Sequence, residues 1–252
     1  MKSTAAAFFF AIHVSAGATV AAQPARPAFV GGIQGVELSR GTGGAVAFAE
    51  TLFTLSSRAR FSAGLAGGRI GDVKWGFVRL GLLVDAAPGL LASIGTDVGA
   101  GNQGLDYRHV RAELAYRPAT SWIVVLHAGD QYLDALGAVG NLVSLGIEVH
   151  PTRSWRGELT WHRSTGGSLV TNTASLRVDY EPSEGRALFG GVSVGRQGAR
   201  RPEVADVVPS GRQVFVGVRL PFRMASLTFA IDYTDLGPTN RVSGLAAVRV
   251  PL

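Results

Sequence analysis

The chain has 252 residues, 34 glycines and no cysteine, and its 24 lysines and arginines exceed its 18 acidic residues to give a formal net charge of +6. The absence of cysteine excludes disulfide bonds and thiolate metal sites. The basic residues form no run of five or more, which argues against nucleic-acid binding. Glycine occurs at about twice its average usage of roughly 7%, which is typical of many strands joined by close turns.

The first 22 residues have the pattern of a secretory signal peptide. One early lysine precedes an apolar core that begins at residues 5–12, and Ala21 and Ala22 place small residues before Gln23. A transmembrane helix is the alternative for this segment, but no stop-transfer pattern follows it. No later segment reaches the ~18 uninterrupted apolar residues that a spanning helix needs. The sequence therefore predicts a signal peptide over residues 1–22 and an exported domain over residues 23–252.

Beyond residue 28, apolar and polar residues alternate with a period of two, which predicts strands with one apolar and one polar face. The alternation is clearest over residues 143–162, where two such strands flank a Pro-Thr-Arg-Ser turn. In chain order, strands are predicted at 29–39, 45–55, 61–67, 75–84, 91–98, 107–116, 122–129, 143–150, 155–162, a segment ending at 180, 188–195, 214–220, 227–233 and 242–252.

Turn prolines indicate a repeating hairpin. Pro88, Pro118, Pro151 and Pro182 are spaced by 118−88=30, 151−118=33 and 182−151=31 residues. Each period holds two strands of ~10 residues, the length that a tilted strand needs to cross a bilayer. Residues 28–252 accommodate about seven hairpins of this kind. The predicted fold is all-β: a closed antiparallel transmembrane β-barrel of about 14 strands, with 12 to 16 as the range.

The two ends of this barrel are predicted to differ. The proline-containing connections are short and have aromatic residues beside them, as at Tyr116 and Trp155. The opposite connections are longer and richer in glycine. This asymmetry is typical of short periplasmic turns, longer outer loops and an aromatic belt at the membrane interface. A soluble exported β-sandwich is the alternative, but it needs bulky inward residues, whereas the polar faces here carry charges on nearly every strand.

The signal peptide, the alternating strands that end at Tyr116, Tyr180 and Tyr233, and the terminal strand resemble those of bacterial outer-membrane β-barrel proteins. The length and strand rhythm are similar to YaiO-type or porin-like barrels. The resemblance covers residues 28–252 and implies a location in the bacterial outer membrane, contact with outer-membrane lipid and insertion by the barrel-assembly machinery. One departure is the last residue, Leu252, where such barrels usually end on an aromatic residue.

Ten charged residues are predicted to point inward and to line a lumen with possible roles in selectivity. Five charges of each sign argue against a strongly selective pore. The pattern is compatible with a porin-like passive channel for small polar solutes, or with a structural barrel whose wall is stiffened by cross-strand ion pairs. The ten residues are Arg79, Arg111, Glu113, Glu148, Glu158, Arg177, Asp179, Arg219, Asp232 and Arg249.

Catalysis is the alternative function for these strands. His127 with Asp130, or His162 with Ser164, could supply the base of an outer-membrane enzyme or lipid-modifying barrel. A G-x-S-x-G pattern occurs at residues 191–195, but it lies inside a predicted strand and not at the strand-to-helix turn that a nucleophile elbow requires. No H-E-x-x-H or H-x-x-x-H spacing supports a metal site, and no glycine-rich segment opens a helix as a dinucleotide fold requires. The sequence predicts a protein without enzymatic activity, metal or cofactor.

The longest polar connection is predicted at residues 196–212. It is interpreted either as a functional segment that gates the mouth of the barrel or contacts anionic lipopolysaccharide, or as a solvated surface loop. Its cationic residues are Arg196, Arg200, Arg201 and Arg212.

Overall fold

The computed structural model describes residues 27–39, 41–102, 106–117, 123–135, 138–166, 169–197, 210–235 and 240–252. The predicted signal peptide over residues 1–22 lies outside these ranges. No helix in the described part of the chain is long and apolar enough to cross a membrane.

Fourteen antiparallel strands form one closed sheet. Each strand pairs with the next along the chain, and the first pairs with the last through the register of Ala28 with Pro251 and Leu38 with Arg241. The prediction of a closed antiparallel barrel of about 14 strands is therefore confirmed. The strands are β1 (Ala28–Leu38), β2 (Gly43–Ser56), β3 (Ala59–Ile70), β4 (Val73–Ala87), β5 (Leu90–Gly101), β6 (Asp106–Tyr116), β7 (Ile123–Ala135), β8 (Ala138–Thr152), β9 (Trp155–Gly166), β10 (Leu169–Ser183), β11 (Arg186–Gln197), β12 (Ser210–Phe222), β13 (Ala225–Asp235) and β14 (Asn240–Pro251).

The outer surface of the barrel is apolar. Successive side chains on a strand point to opposite faces, so in a closed sheet one set points outward and the other points inward. Leu65 and Ile33 are each 63% exposed, and Ile94, Leu145 and Leu188 are exposed in the same way on other strands. A continuous exposed apolar wall is costly in water and is stable in a hydrocarbon layer.

Two-residue turns connect most strands at the end of the barrel that carries both chain termini. Examples are the turns at 88–89 and 184–185. Gly89 and Gly185 have φ values of +75° and +77°, a conformation that residues with a Cβ rarely adopt. At this end the rings of Trp155 and Tyr180 are in contact, with centroids 4.7 Å apart and planes tilted by 35°. The opposite end has the longest connection between strands, residues 198–209.

Two of the predicted turn prolines lie inside strands instead. Pro151 is near the end of β8, and Pro182 is near the end of β10. The pairing shifts at both places, between Val149 and Thr152 and between Tyr180 and Ser183. A register shift removes the need for a ladder hydrogen bond, so a residue without an N–H is tolerated there.

Several strands are longer than the sequence pattern indicated, and the predicted connection 196–212 is too wide. Arg196 belongs to β11, where it pairs with Ser210 and Asn172. Arg212 belongs to β12, where it pairs with Asp235 and Val194. Backbone pairing continues through these polar residues because strand hydrogen bonds do not depend on side-chain polarity. Arg200 and Arg201 lie outside the described residues.

Candidate functional site: the charged barrel interior

The ten predicted lumen residues all occupy strand positions on the face opposite the exposed apolar wall. Within the part of the chain that the structure describes, six further charged residues share this inward parity: Glu50, Arg60, Asp85, Asp97, Arg156 and Arg241. The described interior therefore carries eight cationic and eight acidic side chains, not counting histidine. They are Arg60, Arg79, Arg111, Arg156, Arg177, Arg219, Arg241 and Arg249, with Glu50, Asp85, Asp97, Glu113, Glu148, Glu158, Asp179 and Asp232.

Asp97 on β5 is the centre of the first cluster. Its side chain is 0% exposed. Arg79 donates to it through Nε at 2.9 Å and through a terminal nitrogen at 3.3 Å, and Arg111 donates at 3.3 Å. His109 Nδ1 lies 3.2 Å from the same carboxylate, and a terminal nitrogen of Arg79 is 3.7 Å from Glu50. A buried carboxylate is tolerated only with partners of this kind, so this part of the wall is an ion-pair network.

Arg156 on β9 is the centre of a second cluster. Its guanidinium is 3.0 Å from Glu158, 3.4 Å from Glu148 and 3.5 Å from Asp179. Arg177 on β10 contacts Asp179 at 2.8 Å. Three acidic side chains on three adjacent strands therefore share two arginines, and Glu148 is buried within them. The network ties β8, β9 and β10 together across the inner face.

The guanidinium of Arg177 also lies over two aromatic rings, 5.2 Å from the centroid of Phe189 and 6.0 Å from that of Phe215. These rings occupy the space beside two glycines. A Cβ added at Gly217 would collide with the Phe189 ring, and one added at Gly191 would lie 2.7 Å from Phe215 Cε1. The glycines are therefore needed for the aromatic rings to lie against the wall.

Asp232 on β13 is the centre of a third cluster. Arg241, whose side chain is almost fully buried, donates to Asp232 at 2.9 Å and to Thr234 Oγ1 at 3.0 Å. Ser243 also donates to Asp232, and Gln213 donates to it at 3.4 Å. The sequence analysis missed Arg241 because this residue lies before the predicted start of the last strand. Its spacing of two residues from Ser243 could have identified it as inward-facing.

The side chains of three predicted lumen residues form no hydrogen bond or ion pair with any other described residue: Glu113, Arg219 and Arg249. Glu113 is on β6, whereas Arg219 and Arg249 are on β12 and β14, on the far side of the barrel.

The inner face is not polar throughout. Val36, Leu38, Val46 and Trp75 point inward on β1, β2 and β4 near the end opposite the termini, and all four are buried. The expected inward charges are still present on β2 and β4, at Glu50 and Arg79, but the inner face at this end of the three strands has these four apolar side chains.

The histidine candidates are only partly described. His162 lies between two hydroxyls, with Nδ1 2.8 Å from Ser144 Oγ and Nε2 3.3 Å from Ser175 Oγ. His127 pairs through its backbone with Ala115 and Gly146, and the side chains of His127, Asp130 and Ser164 lie outside the description. No group of three or more metal-binding side chains occurs among the described residues.

No protein-family model matches the chain, and no curated protein matches it. Solved structures do. A TodX deltaS2S3 mutant described as a monoaromatic hydrocarbon channel has a TM-score of 0.68 at 11% identity and covers 91% of each chain. The CymD monoaromatic hydrocarbon channel has a TM-score of 0.61 at 10% identity, covering 89% of this chain and 87% of its own. The translocator domain of the autotransporter NalP from Neisseria meningitidis has a TM-score of 0.56 at 12% identity, covering 99% and 98%.

These similarities show that the chain has the fold of bacterial outer-membrane β-barrels, including porin-like channels. The predicted resemblance to that class is confirmed. The finer likeness to YaiO-type barrels stays a prediction.

Proposed function

We propose that this protein is an outer-membrane β-barrel that forms a porin-like passive channel for small polar solutes. The observation that carries the proposal is the division of one closed 14-stranded wall into an apolar outer face and a charged inner face. Lipid solvates the first face, and water is the natural solvent for the second.

The three interior charges without a described partner give further support for water in the lumen. An ionised side chain that is neither paired nor hydrated costs several kcal/mol or more, so a dry interior is a poor environment for Glu113, Arg219 and Arg249. A barrel held rigid by ion pairs around a water-filled passage accommodates both the paired and the unpaired charges.

Two of the similar structures carry the description of a hydrocarbon channel, which supports conduction as the role of this chain. Their solutes are not assigned to this protein, because at 10–11% identity the likeness concerns the fold alone.

The cellular setting follows from the same proposal. Residues 1–22 act as a cleaved signal peptide, outer-membrane lipid and lipopolysaccharide surround the apolar wall, and the barrel-assembly machinery inserts it. The hydroxyl groups of Ser144 and Ser175, one at each ring nitrogen of His162, are compatible with a structural role for this histidine.

Liposome swelling tests the channel with a matched pair of variants. Ser193 and Val192 are neighbours on β11, and Ser193 pairs with Ser175 and Gln213 on the inner face while Val192 is exposed on the outer face. Wild-type protein is expected to admit arabinose, and Ser193→Trp to slow its entry more than Val192→Trp. Equal rates for both variants, or no swelling with folded wild-type protein, would contradict the proposal.

A further inference from the structure

Two arginines at one end of the barrel interior stand apart from the ion-pair networks. We propose that Arg219 and Arg249, with the hydroxyls of Ser226 and Thr228, form a binding site for an anionic group of the solute, a carboxylate or a phosphate. The site lies at the end that carries the chain termini. This inference rests on the proposed channel function and names the class of solute that the channel favours.

The register places the four residues on one patch of wall. Arg219 on β12 pairs with Thr228 on β13, and Arg249 on β14 pairs with Ser226 on the other side of the same strand. The two arginines therefore flank β13 diagonally, two strands apart and offset by two residues. Strand spacing and rise put their Cα atoms about 12 Å apart. Two long side chains can close on a small anion across that distance, above the two hydroxyls.

The balance of charge in the interior favours an anion at this place. Seven of the eight described acidic side chains are in ion pairs: Glu50, Asp85, Asp97, Glu148, Glu158, Asp179 and Asp232. Each of these pairs cancels most of its field at short range. The remaining acid, Glu113, is on β6 and so lies across the lumen from β12 and β14. An equal count of charges thus leaves a local positive potential at Arg219 and Arg249.

The surrounding rim adds to that potential. The turns at the same end of the barrel carry Arg58, Arg117, Arg153 and Arg223, against Glu184 in the described residues. A mouth lined mostly by one sign of charge concentrates counter-ions and raises the rate at which they are captured.

Arginine is suited to this role because its planar guanidinium presents paired donors that match a carboxylate or a phosphate. Lysine would retain the positive charge but would not present the paired N–H donors. The four residues of the site lie on the inner face of the barrel, and the lipid contacts the outer face of the same strands.

The test compares variants that remove positive charge inside the proposed site and outside it, at the same end of the barrel. Arg219→Gln/Arg249→Gln removes the proposed ligands. Arg186→Gln is the control, since Arg186 is exposed and precedes Ala187, the inward residue that pairs with Arg219. Titration calorimetry with inorganic phosphate is performed on each refolded protein in a zwitterionic detergent at low ionic strength.

Wild-type protein and Arg186→Gln are expected to bind phosphate with similar affinity, and the double variant to bind at least about tenfold more weakly, the loss expected for 1.4 kcal/mol. Arg219→Lys/Arg249→Lys is expected to fall between. The proposal is overturned if wild-type protein does not bind phosphate, if the double variant binds equally well, or if phosphatidylglycerol in the micelles displaces phosphate.

Reversal potentials in a KCl gradient separate this inference from the channel function. A preference for chloride in wild-type protein that the double variant loses and Arg186→Gln keeps supports the site. Phosphate binding by a protein that does not conduct would support the site and contradict the channel. Conduction without phosphate binding would support the channel and contradict the site.

Discussion

Arg79 and Asp97 lie opposite each other on β4 and β5, and the arginine holds the fully buried carboxylate through two nitrogens, at 2.9 and 3.3 Å. The pair faces the interior of a barrel whose exterior is apolar. Most of the charged side chains of the interior join neighbouring strands in this way.

Asp97→Asn is expected to destabilise the barrel. The amide keeps the shape of the carboxylate but leaves Arg79, Arg111 and His109 around a neutral group. Breaking a buried ion pair on one side typically costs about 3–5 kcal/mol. The free energy of unfolding in urea, followed by tryptophan fluorescence in detergent micelles, measures the loss. Asp72→Asn, in the exposed turn between β3 and β4, is the control and is expected to match wild type. Equal stability of the two variants would argue against a network centred on Asp97.

Asp232 and Arg241 are expected to be energetically coupled. Arg241→Met alone leaves a buried carboxylate without its cation, and Asp232→Asn alone leaves a buried cation without its carboxylate. The double variant removes both charges, so its stability loss is expected to be smaller than the sum of the single losses by about 0.5–3 kcal/mol. A double-mutant cycle in urea unfolding measures this difference. Strict additivity would show that the contact at 2.9 Å contributes little.

Gly217→Ala is expected to disturb the wall because a Cβ there collides with the Phe189 ring and lies 2.7 Å from the backbone oxygen of Phe229. Overpacking of this kind costs about 1–3 kcal/mol. The comparison is Gly244→Ala, where nothing lies within 4 Å of the added Cβ. The folded fraction after refolding, read from the shift in gel mobility on heating, is expected to fall for the first variant alone. A fall of the same size in both would point to glycine flexibility as the cause.

Leu145→Arg tests whether the exposed face meets lipid. Leu145 lies at the middle of β8, and Phe222 lies at the end of β12, and both are more than half exposed. An arginine on the lipid-facing side costs about 2–4 kcal/mol at the bilayer midplane and about 0–1 near the interface. Unfolding in lipid bilayers is therefore expected to be easier for Leu145→Arg than for Phe222→Arg. If Phe222→Arg unfolded more easily than Leu145→Arg, Leu145 would not lie nearer the bilayer midplane than Phe222.

The strand rhythm was sufficient to predict the architecture. Alternation over residues 143–162 gave both faces of β8 and β9, and the proline spacing gave the number of hairpins. Boundaries were less accurate, since β7 continues to Ala135 and β8 begins at Ala138, where polar and small residues follow the alternating core. Backbone pairing extends past the apolar belt, and hydrophobicity does not report its end.

The interior site was only partly predictable. The alternation of apolar and polar residues was enough to predict ten charged residues on the inner face. Which of these residues form pairs depends on the register between neighbouring strands. Arg156 contacts Asp179 because β9 pairs with β10 in that register. The isolation of Arg219 and Arg249 follows from the same register and is not visible in the count of charges.

Single-channel recording tests the central claim most directly. The mature protein, shown to be folded by its gel mobility, is added to a planar lipid bilayer in KCl. We expect stable ohmic current steps, with a larger conductance than Ser193→Trp shows under the same conditions. A folded protein that inserts into the bilayer and stays silent would contradict the channel, and would leave a closed barrel whose interior ion pairs serve the wall alone.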